Sequence, residues 1–192
     1  MAYEFYAMLG RMRNITRWGL MRNTFSENIQ EHSHQVAVLA HALALIRREI
    51  LRLEGPEPDR CAVAALYHDA SEILTGDLPT PIKYYNAEIH NAYKQVERIS
   101  GERLLRMLPP QLRSCYEHDV LEDDPEVGPI VKAADKLSAY IKCVEEQKTG
   151  NTEFDSAARQ IMEAMQALHQ SELDWFIDNC LEPYSRTLDE LP

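Results

Sequence analysis

The chain has 192 residues, enough for one domain with a real core, and its formal net charge of -11 excludes a general nucleic-acid binder, which needs a basic face for phosphates. The same charge argues against an anionic membrane surface, whereas one small phosphate can still be held by a metal and one or two local cations. Only 7 glycines among abundant Ala, Leu and Glu favour helices over sheets.

Tyr3 to Arg13 reads as a short amphipathic helix, and no basic stretch followed by an apolar run marks a signal peptide. Asn14 to Glu27 is polar and irregular and carries the pair Arg17-Trp18. Asn28-Ile-Gln-Glu31 has the spacing of a capping box and predicts a helix to about Leu53. The middle of that helix, VAVLAHALALI, is apolar nearly all round, which marks the central buried helix; interrupted by His41, it is too short to span a bilayer. Gly55-Pro-Glu-Pro58 breaks the chain, and Asp59 is expected to cap a helix with the body CAVAALYHDASEIL. Gly76, Pro79 and Pro81 make Thr75 to Pro81 a loop. A long polar helix follows from about Asn86 to Met107, stopped by Pro109-Pro110. Pro125 is expected to open the helix EVGPIVKAADKLSAYIKCVEEQK, with Gly128-Pro129 disturbing its first turn and Gly150 ending it. Two or three amphipathic helices run on to about Thr187. No strand pair stands out, so the expected fold is an all-α, single-domain helical bundle over residues 1–192. Cys61, Cys115, Cys143 and Cys180 form no Cys-x-x-Cys pair and read as reduced, mostly buried thiols of a cytoplasmic protein.

The chemistry starts at His68-Asp69. A titratable pair breaking into an apolar helix needs partners, because buried unpaired charge is costly, and a divalent metal would serve both. Glu72 follows His68 by four residues and Asp69 by three, which on a helix puts all three on adjoining parts of one face. Asp77 lies just beyond, in the Pro-rich loop. His32, in the first turn of the central helix, and Asp135, in a small apolar helical stretch, are the further ligand candidates. His34, two residues from His32, points away. Any one of these residues alone reads as readily as a structural histidine or a solvated carboxylate; the cluster is what carries the signal.

The order His32, His68-Asp69, Asp135 resembles the H…HD…D signature of the HD-domain superfamily. More closely, the chain resembles the YfbR-type bacterial 5'-deoxynucleotidases, through ITRWGLMRN, ENIQEHSHQVA, ALYHDASEILTGDLPTPIKYYN, VKAADKLSAYIKCVEE and SRTLDEL. The resemblance implies a helical homodimer of the HD-domain type with one divalent metal per subunit, held by His32, His68, Asp69 and Asp135. It implies a phosphoric monoester hydrolase that splits deoxyribonucleoside 5'-monophosphates into nucleoside and phosphate. Arg17 would orient the phosphate, Trp18 pack on the sugar, and Asp77, Leu78, Pro79 and Thr80 line the sugar side, with His32, Asp69 and Asp135 also bordering the substrate.

A mixed nitrogen and oxygen donor set suits Co, Mn, Fe, Ni or Zn better than Mg or Ca, and Co is the expected activator. A metal-activated water would attack phosphorus, Arg17 would grip two phosphate oxygens, and Glu72 would take the water's proton. Asp77 would accept a sugar hydroxyl or assist the leaving oxygen. Two alternatives compete. One is another HD-type phosphohydrolase acting on a cyclic nucleotide, a triphosphate or an alarmone; a triphosphate needs several cations, and mainly Arg17, Arg22 and Lys83 lie near the motif segments. A dinuclear site would need extra histidines such as His90 or His118. The other is a non-catalytic nucleotide-binding regulator, which a missing ligand or a missing Glu72 would have favoured. Neither a nucleic-acid polymer nor a membrane is expected as a partner.

Overall fold

The Asn28 side chain accepts hydrogen bonds from the backbone N–H groups of Gln30 and Glu31, and the Glu31 carboxylate accepts one from Asn28 N–H. That reciprocal cap starts helix α2, Ile29–Leu45, which widens into a π turn at Ile46–Ile50 and stops short of Leu53. The computed structural model describes residues 2–83 and 85–191, and among these the strand-like pairing is one isolated bridge, Thr16 to Asn28. The remaining helices are α1 (Phe5–Leu9, continued by a 3₁₀ turn to Asn14), α3 (Pro58–Tyr67), α4 (Glu72–Thr75), α5 (Thr80–Lys83), α6 (Ala87–Arg106), α7 (Pro110–Leu121), α8 (Gly128–Lys148), α9 (Asp155–Gln166) and α10 (Ser171–Cys180). The expected all-α fold is what the chain adopts. No helix among the described residues is long and apolar enough to cross a membrane.

Helix α2 is the centre. Val36, Leu39, Ala40 and Leu43 are almost fully buried, against Cys61 and Ala65 of α3 and Ala134, Leu137 and Ile141 of α8. The alanines let the three helices approach closely, and each buried Leu or Ile stabilises by roughly 1.5–3 kcal/mol. Met165 of α9, with Leu173 and Phe176 of α10, closes one side of this core. A second cluster joins Phe5 to Leu104, Leu105 and Leu108 at the end of α6 and to Val120 of α7. Gly101 is required there: a Cβ would lie 2.9 Å from a methyl of Leu121 and 3.2 Å from the Val120 carbonyl.

The structure corrects several boundaries. Helix α3 begins two residues earlier than expected: Glu57 is the N-cap position and Pro58, with its fixed φ and missing N–H, occupies the first turn, while the exposed Asp59 carboxylate lies 3.5 Å from His41 Nε2. Pro110 does the same for α7, a helix that the reading of Pro109-Pro110 as a stop overlooked. Pro129, not Pro125, sits in the first turn of α8. Of the four free cysteines, Cys61 and Cys143 are buried, but Cys180 is half-buried and Cys115 is exposed on α7, so the thiols are not mostly buried. The largest correction concerns the HDASEIL stretch. Helix α3 ends at Tyr67, and tighter bonds take over, from Ala70 N–H to Tyr67 O and from Glu72 N–H to Asp69 O. At this break His68 Nδ1 donates to the Ala65 carbonyl at 2.8 Å, so a side chain serves an acceptor of the last helical turn.

Candidate metal and phosphate site

Three pieces of backbone meet at one point: the first turn of α2, the turn after α3 and the first half of α8. His32 is fully buried, and its Nε2 lies 3.0 Å from Asp135 Oδ1 and 3.6 Å from Asp69 Oδ2. His68, also buried, has its Nε2 3.2 Å from Asp69 Oδ2. The two imidazole rings are 5.3 Å apart. One ligand atom each from His32, His68 and Asp135 falls within 4.8 Å of the others, and Asp69 adjoins both histidines. The structure thus brings together all four expected ligands, although His68 and Asp69 lie in the turn after α3 and Glu72 opens α4, so the three do not share one helical face. His34 is exposed, and His118 is exposed and hydrogen-bonded to Asp123 at 2.7 Å; neither it nor His90 joins the group.

The donors fit a divalent cation. In the neutral ring, donation from His68 Nδ1 to Ala65 O leaves the lone pair on Nε2; this buried atom lies 3.2 Å from Asp69 Oδ2 but makes no hydrogen bond among the described residues. A buried imidazole lone pair facing carboxylates calls for an electrophile. The carboxylates are the exposed side of the cluster, with Asp69 at 20% and Asp135 at 40% side-chain exposure against 0% for His32, so open coordination positions would face solvent and substrate. Burial, then the nearby Arg17 charge, pushes His32 below its ordinary value and keeps it neutral. Burial would also lower His68, but Asp69, Asp135 and Glu122 outweigh it and raise the ring. Burial alone would raise Asp135, yet the His32 hydrogen bond and the charges of His68 and Arg17 hold it well below the carboxylate range.

Around this point lie the other expected residues. Arg17 is nearly buried, its Nη1 2.7 Å from Glu27 Oε2 and 2.8 Å from His32 Nδ1. Burial works against its charge, but Glu27, Asp135, Asp69 and Asp77 together hold the guanidinium ionised. Trp18 adopts a left-handed φ of 59°, which is strained for a residue with a bulky side chain. Its indole N–H donates to Glu27 Oε2 at 3.0 Å, and its ring lies 5.3 Å from that of Phe154. Glu72 is buried, with one oxygen lacking a partner; burial and the neighbouring Asp69 and Asp77 push it up to about 10. Burial raises Asp77 as well, against the pull of Arg17. Leu78 and Pro79 are half-buried and Thr80 is exposed. This loop is tied to α6: Tyr93 donates to Gly76 O at 3.3 Å, and Lys83 pairs with Glu97 at 2.7 Å.

Three residues of this site were not found from the sequence. Glu27 binds both Arg17 and Trp18, and its own backbone carbonyl accepts from Arg17 N–H at 2.9 Å. Ser138 lies 3.1 Å from His32 Nδ1, and Gln35 accepts from Ser138 at 2.9 Å. The available signal was helical spacing: Gln35 follows His32, and Ser138 follows Asp135, by three residues.

Comparison with known proteins agrees with this geometry. The sequence profile of the family described as 5'-deoxynucleotidase YfbR-like matches residues 4–184. A 5'-deoxynucleotidase of Pectobacterium atrosepticum is 47% identical, over 98% of this chain and 95% of that protein. One of Vibrio cholerae is 45% identical, over 98% and 97%. Among solved structures, an HD-domain phosphohydrolase from Listeria innocua superposes with a TM-score of 0.81 at 22% identity, over 94% of this chain and 88% of that one. An HD phosphohydrolase of cyanophage S-2L, bound to dA and one catalytic Zn2+ ion, gives a TM-score of 0.65 at 21% identity, over 92% and 95%. These two share the fold; the family match and the relatives at 45% and 47% identity go further. The chain belongs to the YfbR-like 5'-deoxynucleotidase family and shares its fold with HD-domain phosphohydrolases.

Proposed function

We propose that residues 1–192 work as one HD-domain unit in which His32, His68, Asp69 and Asp135 hold a divalent transition metal for the hydrolysis of deoxyribonucleoside 5'-monophosphates to nucleoside and phosphate. The observation that carries this reading is the buried, unpartnered Nε2 of His68, aimed among Asp69, Asp135 and His32. When bound, such a metal lowers the pKa of water and polarises phosphoryl oxygens. Arg17, ionised and fixed by Glu27, binds the phosphate through its planar fork. Burial beside Asp69 and Asp77 pushes Glu72 up to about 10, so it holds its proton in the metal-free protein; a cation bound to the neighbouring carboxylates would favour its ionised form, which then takes the proton of the attacking water and returns it to O5' as the P–O5' bond breaks. Asp77 accepts a hydrogen bond from a sugar hydroxyl, and Trp18, Leu78, Pro79 and Thr80 frame the sugar side. Of the three nearby cations only Arg17 faces the ligands, since Lys83 is paired with Glu97 and Arg22 is exposed, which favours a monophosphate over a triphosphate.

The two-nitrogen, two-carboxylate set fits Co, Mn, Fe, Ni or Zn, and we assign Co as the activator. Exposed Val38 on α2 with Val63 and Leu66 on α3 supports a homodimer, and four free cysteines support a cytoplasmic setting. The test is phosphate release from a panel of nucleoside monophosphates with each metal in turn. Deoxyribonucleotides are turned over and a chelator stops the reaction; full activity after exhaustive metal removal overturns the mechanism.

A further inference from the structure

The two histidines are held in different ways. His68 Nδ1 faces the Ala65 carbonyl, which can only accept, so its tautomer is fixed with the lone pair on Nε2. His32 Nδ1 has two neighbours of opposite kind. Arg17 Nη1, 2.8 Å away, can only donate. Ser138 Oγ, 3.1 Å away, spends its hydrogen on Gln35 Oε1 at 2.9 Å and therefore turns lone pairs toward the ring. Arg17 requires a lone pair on Nδ1, which puts the hydrogen on Nε2, where Asp135 Oδ1 at 3.0 Å accepts it. Ser138 requires the hydrogen on Nδ1, which leaves Nε2 bare. The two demands exclude each other, and only the second leaves His32 Nε2 able to bind a metal.

We propose that Ser138, aligned by Gln35, is the positioning residue that selects the metal-binding tautomer of His32, and that Arg17 competes with it for the same ring nitrogen. The proposal rests on the reading of His32, His68, Asp69 and Asp135 as metal ligands. Its consequence is a link between metal loading and phosphate binding. Once the hydrogen sits on Nδ1, Arg17 loses its acceptor on His32 and keeps Glu27, so one of its N–H groups is released for an anionic oxygen. By linkage, Arg17 opposes metal entry in the absence of phosphate.

The test uses Zn2+ as the probe, its affinity read by competition with a chromophoric chelator in the whole protein. Ser138→Ala weakens Zn2+ binding by about ten- to a hundred-fold, the usual effect of losing the partner that orients a ligating histidine. Gln35→Leu weakens it less, because the freed hydroxyl can donate to Nδ1 and favour the wrong tautomer but can still accept from Nδ1–H; at a half-buried position it still gives a reading if Ser138→Ala does not fold. Arg17→Ala tightens Zn2+ binding. In metal-free protein, histidine ¹⁵N shifts report His32 as Nε2–H, and Arg17→Ala moves it toward Nδ1–H, a change that a merely structural role would not produce. Asp69→Ala separates the two levels of the argument. If Asp69→Ala loses Zn2+ while both Ser138→Ala and Gln35→Leu bind it at native strength, the tautomer proposal falls and the ligand reading stands. If Asp69→Ala keeps native affinity, the ligand reading falls. Arg17→Ala binding no tighter than the native protein overturns the competition.

Discussion

Residues of one chemical type are given different tasks here by a few ångströms of environment. Asp135 accepts from His32 and is held well below the carboxylate range, in keeping with its proposed role as a ligand, whereas burial beside Asp69 and Asp77 pushes Glu72 up to about 10. Glu72→Gln keeps shape and neutral hydrogen bonding but removes the base. It should retain metal and fold while kcat falls about 10²- to 10⁴-fold, measured by metal content and turnover on one preparation; near-native turnover would return Glu72 to a structural role. Trp18 is the other residue whose task its setting defines. Its left-handed backbone is held by the indole bond to Glu27 and the contact with the Phe154 ring. In the proposed sugar site, a rigid wall beside a Pro-framed loop gives an added 2'-hydroxyl no partner, at a cost of roughly 1–3 kcal/mol, about five- to over a hundred-fold in kcat/KM. Trp18→Ala should therefore narrow the ratio of kcat/KM between a deoxyribonucleotide and its ribonucleotide, even as both values fall. An unchanged ratio removes Trp18 as the cause of selectivity. Arg17 and Trp18 stand next to each other in sequence and were readable there; Glu27, which binds both, was not, because a lone Glu before a helix cap carries no pattern of its own.

Among the elements, the irregular Asn14–Glu27 segment turns out to be firmly held. Its base is clipped by the Thr16–Asn28 bridge, and its far end is anchored on α8. There the fully buried Glu146 accepts both from Thr24 N–H, at 2.9 and 3.1 Å, and from Lys142 at 2.5 Å; Lys142 in turn donates to Phe25 O at 2.8 Å and lies 3.4 Å from the Phe25 ring centre. Burial alone would raise Glu146, but the bonds from Lys142, Asn151 and Thr24 bring it down to about 2. A carboxylate lowered by folding contributes stability that is fully present above its unfolded value of about 4.5 and is lost as pH falls toward 2. The difference amounts to about 3 kcal/mol. Urea midpoints should accordingly fall between pH 5 and 2, and Glu146→Gln should be less stable at pH 7 with a flatter acid limb. An acid limb as steep as the native one would show that other groups govern it. The capped start of α2 was legible because Asn28 and Glu31 are local. The break after Tyr67 was not, because apolar periodicity runs straight through HDASEIL and the event that accompanies it is one side-chain bond from His68 to Ala65. Nor was α7, since a proline pair stops one helix and starts another equally well.

For the molecule as a whole, the site joins segments that the sequence keeps far apart: α2, the turn after α3 and α8. Periodicity identified the central helix and the Asp135 helix, and so the elements that must meet, but convergence at 3.0 Å between His32 and Asp135 is a property of how alanine-rich faces pack. The same convergence gathers Asp69, Asp135, Glu72, Asp77 and Glu27 with Arg17 among them, in a chain already at a net charge of -11. Mutual repulsion of these carboxylates opposes folding, and a divalent cation relieves it. A ligand that binds only the folded state stabilises by about 2.7 kcal/mol at one hundred times its Kd, which for a protein of this size raises Tm by about 5–10 °C. Adding Zn2+ or Co2+ to chelator-treated protein should produce a rise of that order, and excess chelator should reverse it. Asp69→Ala should start from a metal-free Tm at or above the native one, since it removes one of the repelling charges, and should then fail to respond to metal. Native protein whose Tm does not move at saturating metal would mean that the four residues do not bind it in the folded state. A full response in Asp69→Ala would place the cation elsewhere on the acidic surface.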